Sequence, residues 1–128
     1  MKRILFTASI FAALMMSVGV LATHATTEAK KTDRATIQFN EPVKLLNVFL
    51  KGEYTFVHDE EKMAKGEDCT AVYDSTGKLV VSFHCIPAER AKTDRFRVLT
   101  VRMDATQGLR EIKEYQFAGS TEAHQVPK

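Results

Sequence analysis

Apolar positions recur with a period of two along most of the chain beyond residue 34. Ala35, Ile37 and Phe39 alternate with Thr36, Gln38 and Asn40, the pattern of a strand with one buried and one wet face. Glu41 and Pro42 interrupt the run, Val43 to Leu50 form a second apolar segment, and beyond Gly52 the residues Tyr54 and Phe56 alternate with Glu53, Thr55 and Val57. Asp59 to Asp68 is polar, with little to bury except Met63 and Ala64, and reads as a loop with room for one helical turn. Cys69 to Tyr73 and Leu79 to Ile86 flank Asp74-Ser75-Thr76-Gly77. An opening Asp and a Gly in the left-handed position suit a type I turn, which predicts a hairpin. Pro87 to Asp94 is a polar link, and Arg95 to Met103 with Leu109 to Phe117 predict a second hairpin around Asp104 to Gly108.

No stretch beyond the first 25 residues carries apolar side chains at i, i+3, i+4 and i+7, so the chain reads as all-β. About six to seven short strands, with turns roughly every ten residues, suit a small antiparallel β-sandwich or barrel, and the alternation does not choose between them.

The first residues follow a different grammar. Lys2 and Arg3 precede the uncharged apolar stretch Ile4 to Ala22, as in a secretory signal peptide. Small residues fit cleavage after Ala22 or after Ala25, and we take residues 1–25 as the signal. The competing reading is an uncleaved anchor, since the stretch approaches the roughly 20 residues that span a bilayer; its Ala, Ser, Gly and Thr content weakens that reading. The first cysteine is Cys69, so no lipid attachment site follows the apolar run. Residues 26–34 read as a disordered polar arm, 35–119 as the β-domain and 120–128 as an irregular tail. An exported protein, periplasmic or secreted, is expected.

Export changes the meaning of charge and of cysteine. The formal net charge is +2, but removing Lys2 and Arg3 leaves sixteen basic and sixteen acidic residues. A balanced chain lacks the electrostatic pull that nucleic acid or anionic membrane binding requires. Two cysteines outside the cytoplasm favour one disulfide, Cys69 to Cys85. If Asp74 faces Lys78, Cys69 lies opposite Phe83 and diagonal to Cys85, on a face shared with Ala71, Tyr73, Leu79, Val81 and Phe83. A bulge or a two-residue slip then brings the sulfurs into range. Such a bond, closing fifteen intervening residues, is worth about 3 kcal/mol.

Other candidate chemistry is weaker. His84 beside Cys85 suggests a metal pair, with His58 or His124 brought near by folding, but strand neighbours point to opposite faces. Asp59, Glu60 and Glu61 suit a hard cation, yet Lys62 and Lys65 follow at once. Arg90, Lys92, Arg95, Arg97 and Arg102 are interleaved with Glu89 and Asp94 and read as a solvated face rather than an anion site. There is no G-x-S-x-G, H-E-x-x-H or phosphate-binding glycine loop. On these grounds no catalytic, cofactor or metal residue is assigned.

Phe39, Pro42-Val43 and the Leu-x-x-Gly-x-Tyr-x-Phe order around Leu50 to Phe56 resemble a family of small exported bacterial all-β proteins of uncharacterised function. The Tyr73 to Lys78 hairpin and the Tyr115-Gln116-Phe117-Ala118-Gly119 ending extend the likeness over most of residues 35–119. The resemblance implies an antiparallel β-domain, supplies no catalytic residues, and does not include Cys69 or Cys85. The function expected is a non-enzymatic module that binds an unknown protein or an envelope component. The rivals are a small extracytoplasmic hydrolase or metal-dependent enzyme using His58, His84 or the Asp59 to Glu61 loop, and a redox-responsive module built on Cys69 and Cys85.

Overall fold

The computed structural model describes residues 31–103 and 108–128; the expected signal peptide, most of the expected arm and the tip of the second hairpin lie outside them. The regular elements are β1 (Thr32–Leu45), β2 (Val48–Asp59), α1 (Glu60–Ala64), β3 (Thr70–Asp74), β4 (Leu79–Phe83), β5 (Ile86–Glu89), β6 (Arg97–Arg102), β7 (Arg110–Gln116) and β8 (Glu122–Gln125). The protein is all-β, as the alternation predicts, but its eight strands form a single sheet ordered β4-β3-β2-β1-β7-β8-β5, with β6 on the free side of β7. That sheet is mixed, because β1 pairs with β7 in parallel at Val43 and Lys44.

Three irregularities separate this sheet from the simplest reading of the sequence. Pro42 does not end a strand: β1 runs through it, with a bulge between Phe39 and Val43 that leaves both side chains buried in the core. The segment Val43 to Leu50 is not one strand but contains the hairpin turn, where Leu46 takes φ +53°. Gly52, at φ +98°, faces Phe39 at the bulge, a backbone conformation that side-chain-bearing residues rarely adopt. On β7, Leu99 pairs with Glu114 while Thr100 pairs with Ile112, so Lys113 is the extra residue and Ile112 joins Tyr115 and Phe117 in the core.

Both ends of the expected β-domain are longer than the alternation indicates. β1 begins at Thr32, inside the stretch read as an arm, because Thr32 and Asp33 pair with Asp59 and His58 of β2. The tail holds β8, which pairs with β7 on one side and β5 on the other. Four residues, Glu-Ala-His-Gln, contain too little apolar contrast to announce a strand.

β4 and β5 terminate the hydrogen-bonded path, yet only His84 and Cys85 separate them in the chain. Each residue spans at most about 3.6 Å, so the sheet has to curl until its two ends nearly meet. The curl encloses Phe39, Val43, Leu45, Leu50, Phe56, Val72, Phe83, Ile112, Tyr115 and Phe117. Phe56 of β2 and Tyr115 of β7 touch across this interior, with ring centroids 5.4 Å apart. Outside the aromatic core, Glu114 is buried and paired with Arg90 and Arg97 at 2.8 Å each. Its burial would raise its pKa, but the two arginines outweigh that and hold it below the usual carboxylate range. Two of the five clustered basic residues are therefore committed to the fold.

Replacing Phe56 by Ala deletes the side chain that joins the two walls of the interior. A loss of about 3–5 kcal/mol is expected, read as a lower denaturant midpoint at unchanged slope.

Candidate metal centre

The sheet register assembles one end of the interior from residues far apart in sequence. Asp33, His58, Thr70 and Phe83 form a rung across β1, β2, β3 and β4. Val98, Tyr115, His124 and Pro87 form another across β6, β7, β8 and β5. The curl sets the two rungs face to face. His58 and His124 stack at 3.9 Å between ring centroids, with planes 29° apart, although β1 and β7 lie between their strands in the sheet. The Tyr115 hydroxyl hydrogen-bonds Thr70 Oγ1 across the same gap, and the Tyr115 ring lies 5.1 Å from that of His124.

The cysteines close this end. Cys69 precedes β3 and Cys85 lies in the link to β5; both are buried, with sulfurs in bonding distance and Cα atoms 6.4 Å apart, within the span a disulfide accepts. The device that aligns them is a bulge. Tyr73 faces Leu79, but Val72 faces Val81 and Thr70 faces Phe83, so Cys69 moves one step towards Cys85 relative to an unbroken register. The same bulge corrects the expected inner face. Thr70 and Val72 point inward with Phe83, whereas Leu79 is exposed.

Cys85 Sγ also lies 3.7 Å from His124 Nδ1 and 3.8 Å from Met63 Sδ. Met63 belongs to α1, which Asp59 starts by accepting hydrogen bonds from the Glu61 and Lys62 amides at 3.0 and 3.1 Å. Donor atoms of His58, Cys85 and His124 all fall within 4.8 Å of one another. Metal bonds of about 2.0–2.1 Å to imidazole and about 2.3 Å to thiolate place N and S roughly 3.5 Å apart around a tetrahedral ion. The observed His124 to Cys85 separation is close to that spacing, which the Cys85 sulfur can use as a ligand only once it is freed from the disulfide as a thiolate.

Among the described residues, the buried side-chain nitrogens and oxygens without a hydrogen-bond partner are His58 Nδ1, His58 Nε2 and Glu122 Oε1. All three belong to this end of the interior; Glu122 Oε1 is 3.8 Å from His124 Nδ1, too long for a hydrogen bond. Unpartnered buried polar atoms cost free energy, so their concentration here needs a reason. Burial pushes His124 down to about 4, helped by the adjacent His58. Burial also lowers His58, against the opposing pull of the Glu60, Asp33 and Asp59 carboxylates. Both rings are thus neutral at neutral pH, the form that ligates metals. Carboxylates of Asp33 and Glu60 come within 4.8 Å of His58, close enough to attract a bound cation through space.

The sequence-based candidates separate accordingly. Cys69 and Cys85 are brought together, and His58 and His124 join them. His84 is exposed, on the side of the link away from buried Cys85. The Asp59 to Glu61 acids do not form a separate cage: Asp59 caps α1, Glu61 pairs with Lys65 at 3.1 Å and Glu60 turns towards His58. Continuing the Tyr54, Phe56 alternation by one step reaches His58, so a signal for its inward position was present. His124 had none. No family model, curated protein or solved structure matches the chain.

The neutral histidines fix a pH dependence for the metal-free protein. An unfolded chain protonates its imidazoles near 6.5, but folded His124 does so only near 4, so the unfolded state binds more protons between these values. Stability is expected to fall as pH drops through that window. NMR titration of His124 should give a midpoint near 4; a midpoint at or above about 6.5 contradicts the burial argument.

Proposed function

We propose that the protein is an exported, non-enzymatic β-domain that holds a soft transition-metal ion at the end of its curled sheet, between His58 and His124. The observation that carries this reading is the buried imidazole pair whose ring nitrogens include two without partners, beside the Met63 thioether and the Cys85 sulfur, the latter bonded to Cys69. Nitrogen and sulfur donors favour copper or zinc over magnesium or calcium, which take oxygen. The buried cysteine pair is compatible with an oxidising compartment and supports the export that the leading residues suggest. Burial of His58, Cys85 and His124 favours holding an ion over hydrolysis, since a hydrolytic metal keeps a position open to water and substrate. Met63, partly exposed, marks the side from which an ion would enter.

One ion per chain is expected by elemental analysis after loading with copper or zinc and desalting. His58→Phe and His124→Phe preserve ring shape and remove the donors, and each should weaken binding by about 100-fold or more in a chelator competition. His84→Ala should bind as the parent does. Equal affinity across all four proteins overturns the assignment.

A further inference from the structure

Cys85 is placed as both half of a disulfide and a prospective ligand, and its two roles exclude each other. A disulfide sulfur has lost the thiolate charge that makes cysteine a metal ligand. We propose, resting on the metal reading above, that the Cys69–Cys85 pair is a two-electron switch on the site: the disulfide withholds the Cys85 ligand, and the dithiol supplies it for monovalent copper alongside His58, His124 and Met63.

The surroundings of the two sulfurs are unequal in the way this requires. Cys85 Sγ faces His124 Nδ1 at 3.7 Å and Met63 Sδ at 3.8 Å. Cys69 Sγ has a different set of neighbours. It accepts a hydrogen bond from the Cys85 amide at 3.1 Å and neighbours Thr70 Oγ1 at 3.7 Å and the Phe83 carbonyl at 3.9 Å. Once the bond opens, Cys69 keeps polar partners where it stands, while Cys85 is left pointing at the imidazoles. Cys85 also sits outside the strands, between β4 and β5, so a small move of its side chain breaks no ladder bond. Met63 decides the metal class: zinc is bound by Cys, His and carboxylate, whereas thioether and thiolate together select monovalent copper.

The step balances with a dithiol as reductant. Thiol–disulfide exchange breaks the Cys69–Cys85 bond, delivers two electrons and two protons to give two thiols, and converts the reductant to its own disulfide. Binding of the ion then displaces one proton from Cys85 as its thiolate joins the metal. The reverse exchange, with a small-molecule disulfide as oxidant, re-forms the Cys69–Cys85 bond and passes two electrons and two protons to that disulfide to give two thiols, which removes the thiolate and weakens the site.

The test titrates monovalent copper, against a chromogenic copper(I) chelator, into the oxidised protein, the phosphine-reduced protein, C69S and C85S, with circular dichroism confirming the fold of each. Reduced protein and C69S should bind at least about 100-fold tighter than oxidised protein, and C85S should remain weak even under reductant. Equal binding by oxidised and reduced protein, with His124→Phe still weakened, overturns the switch and leaves the metal reading standing. No binding by any form overturns both. Should C69S fail to fold, alkylation of the reduced parent gives the same decision: copper is expected to protect Cys85 and leave Cys69 reactive, and equal labelling of both contradicts the proposal.

Discussion

The link between β4 and β5 constrains the molecule more than any single packing contact. Two residues join the opposite ends of a seven-strand path through the sheet, and no flat sheet satisfies that connection. The strands therefore curl, and the curl turns the inner faces of β2 and β8 towards each other. The aromatic core, the stacked histidines and the Tyr115 to Thr70 hydrogen bond all follow from that approach. The cysteine pair reinforces the same place by tying the link to the start of β3.

The two ends of the interior solve the burial problem differently. Around Phe39, Leu45, Leu50 and Ile112 the space is filled by apolar side chains, which need nothing further. At the other end, two imidazoles, three sulfurs and a carboxylate edge are packed together, and three of the polar atoms have no partner among the described residues. Glu114 shows that the fold can satisfy a buried charge when only stability is at stake, using Arg90, Arg97 and good geometry. The contrast between a fully paired Glu114 and an unpaired His58 is the physical ground for treating the histidine end as a binding site.

Local rules were legible in the sequence, and long-range ones were not. The Asp74 to Gly77 turn is where its residues place it: Asp74 accepts from the Thr76 and Lys78 amides at 2.9 and 3.0 Å, with Gly77 at φ +84°. The pairing of Cys69 with Cys85 follows from that hairpin, and so does the need for a bulge, although the bulge reverses which residues of β3 face inward. What stayed hidden depends on the curl. Nothing in Glu122-Ala123-His124-Gln125 announces a strand, because its burial comes from β5, β7 and the interior rather than from its own alternation. His124 could not be joined to His58 without knowing that β2 and β8 meet across the interior. His84 drew notice for its sequence neighbour and proves to be on the surface; Cys85's spatial partners lie 22 and 39 residues away.

X-ray absorption at the copper edge of the reduced, loaded protein reads the donor atoms themselves. A copper ion held by His58, His124, Cys85 and Met63 gives imidazole nitrogen at about 2.0 Å together with sulfur near about 2.3 Å. A shell of light atoms alone, without sulfur and without the imidazole pattern, would contradict that ligand set.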